Sequence, residues 1–199
     1  MIKNFTDIAF TESVKDIQRA NGSRNNYLGM EGMEMNYLSH GEKEFIENRD
    51  MFYMSTVGEN NWPYVQFRGG PKGFLKVLSP TQIGFADFRG NMQYISTGNM
   101  KATGKAALIL MDYPNRRRLK IWAETEIIDA GNTELYQKLV LEEYNAKVDR
   151  FILLNVKAFD WNCPQHITPR FTLKEYTQML ENGNLVLDPE FIKRISDPK

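Results

Sequence analysis

Short segments of the chain alternate between apolar and polar residues, which is the period of a β-strand with one buried face. The first two of these segments flank a turn rich in Gly and Asn at 58–62, which predicts a hairpin. Segment 105–112 is the most apolar, which predicts a strand in the middle of a sheet. The pattern as a whole predicts seven strands, at 51–57, 63–68, 74–78, 82–88, 105–112, 116–128 and 151–159.

Helix signals lie mostly toward the two ends of the chain. Ser39-x-x-Glu42 and Thr172-x-x-Glu175 each match a capping box, in which two side chains satisfy the free N–H groups of a helix start. Residues 23–35 have no clear period and predict an ordered arm without a regular element. Helices are predicted at 11–21, after Ser39, in a short segment ending at 104, at 133–146, after Thr172, and from Asp188-Pro189 onward.

The order of these elements predicts the fold class. Strands follow one another at short spacing, and helices do not alternate with them, which excludes a βαβ arrangement. We therefore predict a mainly β chain with appended helices (α+β), folded as an antiparallel barrel. No linker interrupts it, so residues 1–199 are expected to form one domain, with an N-terminal helical arm to about residue 50 and C-terminal helices at about 172–196.

Composition narrows the classes of partner. Lys and Arg together number 25, as do Asp and Glu, and a chain without net charge lacks the basic face of nucleic-acid or membrane-surface binders. The single cysteine, Cys163, excludes an internal disulfide, and no membrane span or signal peptide is evident. We expect a cytoplasmic protein whose partner is a small molecule, with aromatic residues (12%) serving either the core or a flat ligand.

The densest group of hydrogen-bonding side chains follows the strand at 82–88. Gly90 and Asn91 break that strand, and the segment from Arg89 to Asn99 carries guanidinium, amide and hydroxyl groups. A phosphate would use such donors together with free N–H groups at a helix start. The other interpretation is a polar loop that caps a helix. Gly69-Gly70-Pro71 also has two interpretations: it either ends a strand or lets the backbone approach a ligand closely.

Several motifs in a fixed order resemble one family. They are Q-x-R-G-G-P at 66–71, A-D-F-x-G-N-x-Q-Y-I at 86–95, the hairpin at 111–122 and N-C-P-Q-H-I at 162–167. Together they resemble the pyridoxamine 5′-phosphate oxidase-like FMN-binding split barrels, and the likeness begins near residue 10. The resemblance implies a six-stranded split barrel that forms a homodimer, with FMN in a groove at the subunit interface.

The resemblance also implies which residues contact FMN. One group lies along the flavin ring or beside it, at Gln66, Phe67, Arg68, Asp87 and Phe88. A second group holds the phosphate, at Asn91, Gln93, Tyr94 and Ser96. A third is the hairpin strand that reaches the cofactor, at Arg117 and Arg118, and the second subunit presents Trp161 and Arg170 to the ring.

Plainer interpretations of these residues stay open. The arginines are equally typical of a solvated surface, although Arg68, before two glycines, is best placed to lie over a ligand and tune its redox potential. Trp161 either packs at an interface or stacks beside the flavin. His166 is either a proton donor near the flavin or a structural hydrogen-bonding residue. With Cys163 it has Cys-x-x-His spacing, but two ligands do not make a metal site.

One departure from the family limits the choice of substrate. The vitamin B6 oxidases hold the phosphate with an Arg-Lys pair, where this chain has Met92-Gln93 or Ile95-Ser96. Pyridoxamine phosphate is therefore not the expected substrate. We expect an FMN-dependent oxidoreductase that exchanges hydride or electrons with a small organic molecule. The alternative is a sensor or carrier that binds flavin or haem without turnover.

Overall fold

The computed structural model describes residues 4–183, and within them seven strands form one antiparallel sheet. The sheet order is β2-β1-β5-β6-β7-β4-β3. The strands are Met51–Val57 (β1), Pro63–Gly69 (β2), Leu75–Ser79 (β3), Gln82–Phe88 (β4), Lys105–Asp112 (β5), Arg117–Asp129 (β6) and Val148–Asn162 (β7).

The sheet coils until its two sides meet, which makes it a split barrel. β2 is an edge strand and β4 lies next to the opposite edge, yet Arg68 on β2 and Asp87 on β4 form an ion pair of 2.7 Å. Alternate residues of β5 are buried over its whole length, whereas β4 is buried at five consecutive positions because both of its faces are covered. The interior is apolar, with Phe52, Phe85, Leu110, Leu119 and Ile121 at most 1% exposed.

Six helices and one 3₁₀ segment surround the barrel in the described range. The helices are Thr6–Ala9 (α1), Glu12–Ala20 (α2), His40–Glu47 (α3), Ile95–Thr103 (α4), Thr133–Leu139 (α5) and Leu173–Glu181 (α6), with the 3₁₀ helix at Arg24–Met30. Both predicted capping boxes are confirmed, at the starts of α3 and α6. No helix in the described range is long and apolar enough to cross a membrane.

The strand predictions are confirmed to within a few residues, and the sheet has seven strands rather than the six that the resemblance implied. Two predictions were wrong. The arm at 23–35 contains a 3₁₀ helix, and the helix predicted at 133–146 ends at Leu139. Leu139 is 1% exposed and packs with Ala86, Phe151 and Leu153, so the chain leaves the helix there and Val140 is extended. The helix predicted from Asp188 lies outside the described residues.

The N-terminal arm is held to the barrel by particular side chains. Asn4 is buried and its amide donates to the carbonyl oxygens of Met30 and Met33, which closes the arm on itself. Phe5 stacks on Trp122 of β6, with ring centroids 6.3 Å apart. The arm therefore lies against the outer face of the sheet.

Candidate functional site

A small cavity lies where β2 and β4 end and α4 begins. Its volume is about 40 Å³. Because one water needs roughly 10–15 Å³ of such space, the cavity has room for a few waters or a phosphate, and not for a whole flavin. The sequence-predicted residues that line it come from all three elements: Gln66, Arg68, Asp87, Phe88, Asn91, Tyr94 and Ser96. The tertiary fold thus brings together most of the first two predicted groups, although their contact with a cofactor stays a prediction.

A partly buried hydrogen bond joins α4 to β2 at this cavity. The Ser96 hydroxyl donates to the side-chain oxygen of Gln66 over 2.8 Å, and Ser96 is only 1% exposed. One hydroxyl and one amide are therefore held at fixed positions on the cavity wall. Such fixed donors and acceptors orient a ligand without having to be ordered when it binds.

A buried carboxylate with two guanidinium partners forms the charged wall. Arg68 donates to Oδ1 of Asp87 over 2.7 Å, and Nε of Arg150 lies 3.5 Å from Oδ2. Burial raises the pKa of the Asp87 carboxyl, while the charges of Arg68 and Arg150 act to lower it and that of Asp149 raises it further. The net direction is upward. Nε of Arg68 is buried and has no hydrogen-bond partner among the described residues, so one donor remains for a ligand.

The loop before α4 has an uncommon backbone. Met92 and Tyr94 have positive φ angles of 58° and 54°, a region that residues other than glycine seldom adopt. Tyr94 is the N-cap of α4 but contributes no side-chain capping bond, so the first N–H groups of the helix have no such partner. Strain of this kind collects at ligand sites, and uncapped N–H groups at a helix start attract anions.

Sequence reasoning missed Arg150 and Asp149. Arg150 reaches the cavity wall from β7, because the sheet register places it opposite Asp87. Asp149 lines the cavity and forms an ion pair of 2.9 Å with Arg89. The available signal was two adjacent charges at the start of an otherwise apolar strand, but only the β4–β7 register shows what they face.

The other predicted residues do not line this cavity. Gln93 is exposed, and Phe67 points to the outer face of β2. Trp161 lies at the far end of β7 from Arg150, where its indole donates to Glu42 over 2.8 Å and Arg117 stacks on its ring at 4.7 Å. Arg118 and Arg170 also lie away from the cavity. The Arg170 guanidinium lies over the Tyr113 ring, 5.0 Å from its centroid.

The two glycines after Arg68 lie close to aromatic rings. A Cβ at Gly69 would lie 2.8 Å from the Phe67 ring, and one at Gly70 would lie 2.8 Å from the Phe74 ring. Contacts that short do not occur, so a side chain at either position would displace an aromatic ring. Phe74 is buried and has no room to move, so packing accounts for Gly70, whereas the exposed Phe67 ring is free to move away from a side chain at position 69.

The outer face of β1, β2, β5 and β6 carries an apolar surface. Val65 and Phe67 on β2 are 61% and 57% exposed, and Trp62 in the preceding turn is 74% exposed. Beside them a groove of about 190 Å³ is lined chiefly by apolar atoms of Val65, Ile109 and Trp122. Grouped apolar exposure of this kind is typical of a protein–protein interface.

Comparison with known proteins identifies a family. A family model described as "Pyridoxamine 5'-phosphate oxidase" matches residues 39–162, which is more than half of the chain. The match runs from the N-cap of α3 to the last residue of β7, and so includes every strand of the sheet. No curated protein matches the chain.

Solved structures with a similar chain trace share little sequence with this protein. One is from Lactobacillus delbrueckii and is provisionally assigned as a pyridoxamine 5′-phosphate oxidase, with 21% identity, a TM-score of 0.49, and 63% of this chain and 95% of that chain covered. An FMN-binding protein from Syntrophomonas wolfei has 14% identity, a TM-score of 0.49, and coverage of 73% and 97%. HupZ of group A Streptococcus has 13% identity, a TM-score of 0.48, and coverage of 67% and 99%.

Proposed function

The chain belongs to the pyridoxamine 5′-phosphate oxidase family, and from this membership we propose that it is an FMN-dependent oxidoreductase acting on a small organic molecule. We further propose that it works as a homodimer with FMN at the subunit interface. The absent Arg-Lys pair argues against pyridoxamine phosphate as the substrate.

The observation that carries the proposal is the cavity at the start of α4. It combines an unpartnered guanidinium N–H of Arg68 with a helix start that has no side-chain cap, beside the wall that the Ser96–Gln66 hydrogen bond fixes. Guanidinium and backbone N–H groups are donors that a phosphate accepts from. The cavity admits only a small group such as the phosphate of FMN, and the donors around it fit that group.

The remainder of the cofactor would lie outside this cavity, over Gln66, Arg68 and Phe88, which form its outer wall. Support for a second subunit comes from the exposed apolar surface at Val65 and Phe67, next to this wall on β2. A partner covering this surface would bury apolar area beside the edge strand that carries Gln66 and Arg68.

FMN, when bound, supplies the hydride or electron transfer itself. The residues of this chain bind and orient it. Ser96 and Gln66 fix one wall, and Arg68 presents a positive charge that Asp87 holds in place. A fixed cation beside a redox group favours the form that carries more negative charge. Phe88, half-buried, and the apolar surface of a second subunit would keep water from the reacting atoms.

Cofactor identification tests the proposal directly. We expect the purified protein to be yellow and to release FMN on heating, identified by mass. Recovery of FAD, or no flavin after reconstitution, would contradict the proposal. An intense violet absorption band would instead support the alternative function, a carrier or sensor that binds haem.

A turnover assay separates an enzyme from a carrier. We expect the FMN-loaded protein to oxidise a reduced nicotinamide in the presence of an electron acceptor, with repeated turnover per site. Bound FMN without steady-state turnover on a panel of donors would favour the carrier.

A further inference from the structure

Arg150 makes four separate contacts with residues that line the cavity. Its Nε lies 3.5 Å from Asp87, its Nη1 donates to the Thr97 hydroxyl over 3.1 Å, and its guanidinium lies over the Tyr94 ring at 4.9 Å. Its Nη2 lies 3.7 Å from its chain neighbour Asp149. The Arg150 side chain is 17% exposed, so these contacts form in a partly dry environment. One side chain thereby connects β4 with the first turn of α4.

The contact with Tyr94 holds a strained residue. Tyr94 is exposed and has a φ angle of 54°, a conformation that costs energy unless its surroundings hold it. A guanidinium stacked on its ring, together with the bond to Thr97 three residues later, fixes the first turn of α4 on two sides. The backbone of that turn, and with it the orientation of its uncapped N–H groups, is therefore fixed.

Arg150 also sets the sign of the local charge. Two carboxylates, Asp87 and Asp149, line the cavity and would repel a phosphate by themselves. Three guanidinium groups face them, from Arg68, Arg89 and Arg150, which leaves a net charge of +1. Arg68 and Arg150, with side chains 16% and 17% exposed, balance the two carboxylates, and Arg89, 45% exposed and partly screened by water, supplies the excess charge. Without Arg150 the cluster would be neutral.

We propose that Arg150 is the positioning residue that makes this site select a flavin with a phosphate over one without. It takes the place of the missing Arg-Lys pair, not by touching the phosphate but by holding Tyr94, Thr97 and Asp87 and by keeping the cluster cationic. The inference rests on the proposed function, since it assigns the phosphate of FMN to this cavity.

The test compares the dissociation constants of FMN and riboflavin in three variants. Arg150→Met removes the charge and the stacking group, and Arg150→Lys keeps the charge only. Lys157→Met is the matched control, because it removes one positive charge from the same strand, where Lys157 pairs with Glu124. We expect Arg150→Met to weaken FMN binding about tenfold, because the cluster loses one positive charge and the support of Tyr94 and Thr97, and to leave riboflavin binding unchanged. Arg150→Lys should weaken FMN binding less, and Lys157→Met should bind FMN as tightly as the wild type does.

Each outcome of this comparison supports or overturns the inference about Arg150. If Arg150→Met weakens FMN and riboflavin equally while the wild type binds FMN, the inference is wrong and the proposed function stands. If the wild type binds neither flavin, both are wrong. Thermal unfolding will show whether Arg150→Met still folds. Should it not fold, the FMN-to-riboflavin ratio of Arg150→Lys decides instead, and an unchanged ratio would overturn the inference.

Discussion

At the scale of single residues, the ion pair between Arg68 and Asp87 dominates the site. The Asp87 side chain is 7% exposed, and burial raises the pKa of its carboxyl. The charges of Arg68 and Arg150 act to lower that pKa, and Arg68 has the larger effect. The pair connects β2 to β4, and the buried Nε of Arg68 beside it has no hydrogen-bond partner among the described residues. Because Asp87 is titratable, the contribution of the pair to stability should depend on pH.

Replacing Arg68 by Met should cost about 3 kcal/mol in the free energy of unfolding at pH 7.5, because a buried carboxylate loses its nearest partner. The loss raises the pKa of Asp87 further above its unfolded value of about 4. A carboxyl with a raised folded pKa destabilises the fold above that pKa, and the penalty disappears as the pH falls through it. The difference from the wild type, measured by urea unfolding, should therefore shrink at acid pH.

The control for this experiment is Arg68→Met combined with Asp87→Asn. This double variant has no ionisable group at position 87, so its own free energy of unfolding should lack the recovery at acid pH that Arg68→Met shows. A deficit of Arg68→Met that is constant with pH would mean that Asp87 is not the group left unpaired.

At the scale of elements, the two capping boxes have the same geometry but different neighbours. Glu42 and Glu175 both accept from the N-cap residues of their helices, Ser39 and Thr172. Glu42 in addition accepts from the Trp161 indole, whereas the Glu175 box has no tryptophan among its bonded partners in the described range. Desolvation raises the pKa of Glu42, but the bonds from Ser39 and Trp161 outweigh it, and the pKa is lowered.

Glu42→Ala should therefore destabilise the protein more than Glu175→Ala. Losing a capping box costs about 1 kcal/mol, and the lost bond to Trp161 adds about 1 kcal/mol more. The Trp161 fluorescence should change only in Glu42→Ala. Because the folded pKa of Glu42 is lowered, its contribution is present above about pH 4.3 and is lost as the pH falls through the folded value. Equal losses in the two variants, by thermal unfolding, would show that the Trp161 bond contributes nothing.

At the scale of the whole molecule, the predicted flavin contacts fall into two separate places. Gln66, Arg68 and Ser96 surround the cavity, while Trp161 and Arg170 lie with other partners near α3 and the β5–β6 hairpin. Two-fold pairing would let the second group of one subunit approach the cavity of the other. This arrangement would give two equivalent sites per dimer.

Subunit mixing tests this arrangement. One variant carries Gln66→Ala with Ser96→Ala, and the other carries Trp161→Phe with Arg170→Ala, where Phe keeps an aromatic ring against Phe45. Each homodimer should bind FMN weakly. After refolding as a mixture, about half of the dimers are mixed by random pairing, and each mixed dimer regains one intact site.

Titration of the refolded mixture with FMN measures the regained sites. We expect about one tight site per mixed dimer. If binding does not recover although mass spectrometry shows mixed dimers, the site lies within one chain.

The sequence by itself determined the strand segments, the capping boxes and the family. These depend on local periodicity and on motifs of a few adjacent residues, such as the alternation in β5 or Ser39-x-x-Glu42. Such signals lie within one element, so no knowledge of the fold is required to see them. The same local reasoning extended α5 beyond Leu139, because it did not include the contact of that leucine with β7.

Only the tertiary structure decided which charges meet. Arg68, Asp87 and Arg150 are far apart in the chain, and they come together because the sheet coils until β2 reaches β4 and because register places Arg150 opposite Asp87. A shift of one residue in that register would turn Arg150 to the other face of the sheet. Local patterns do not specify coiling or register, since both follow from how the whole apolar interior packs.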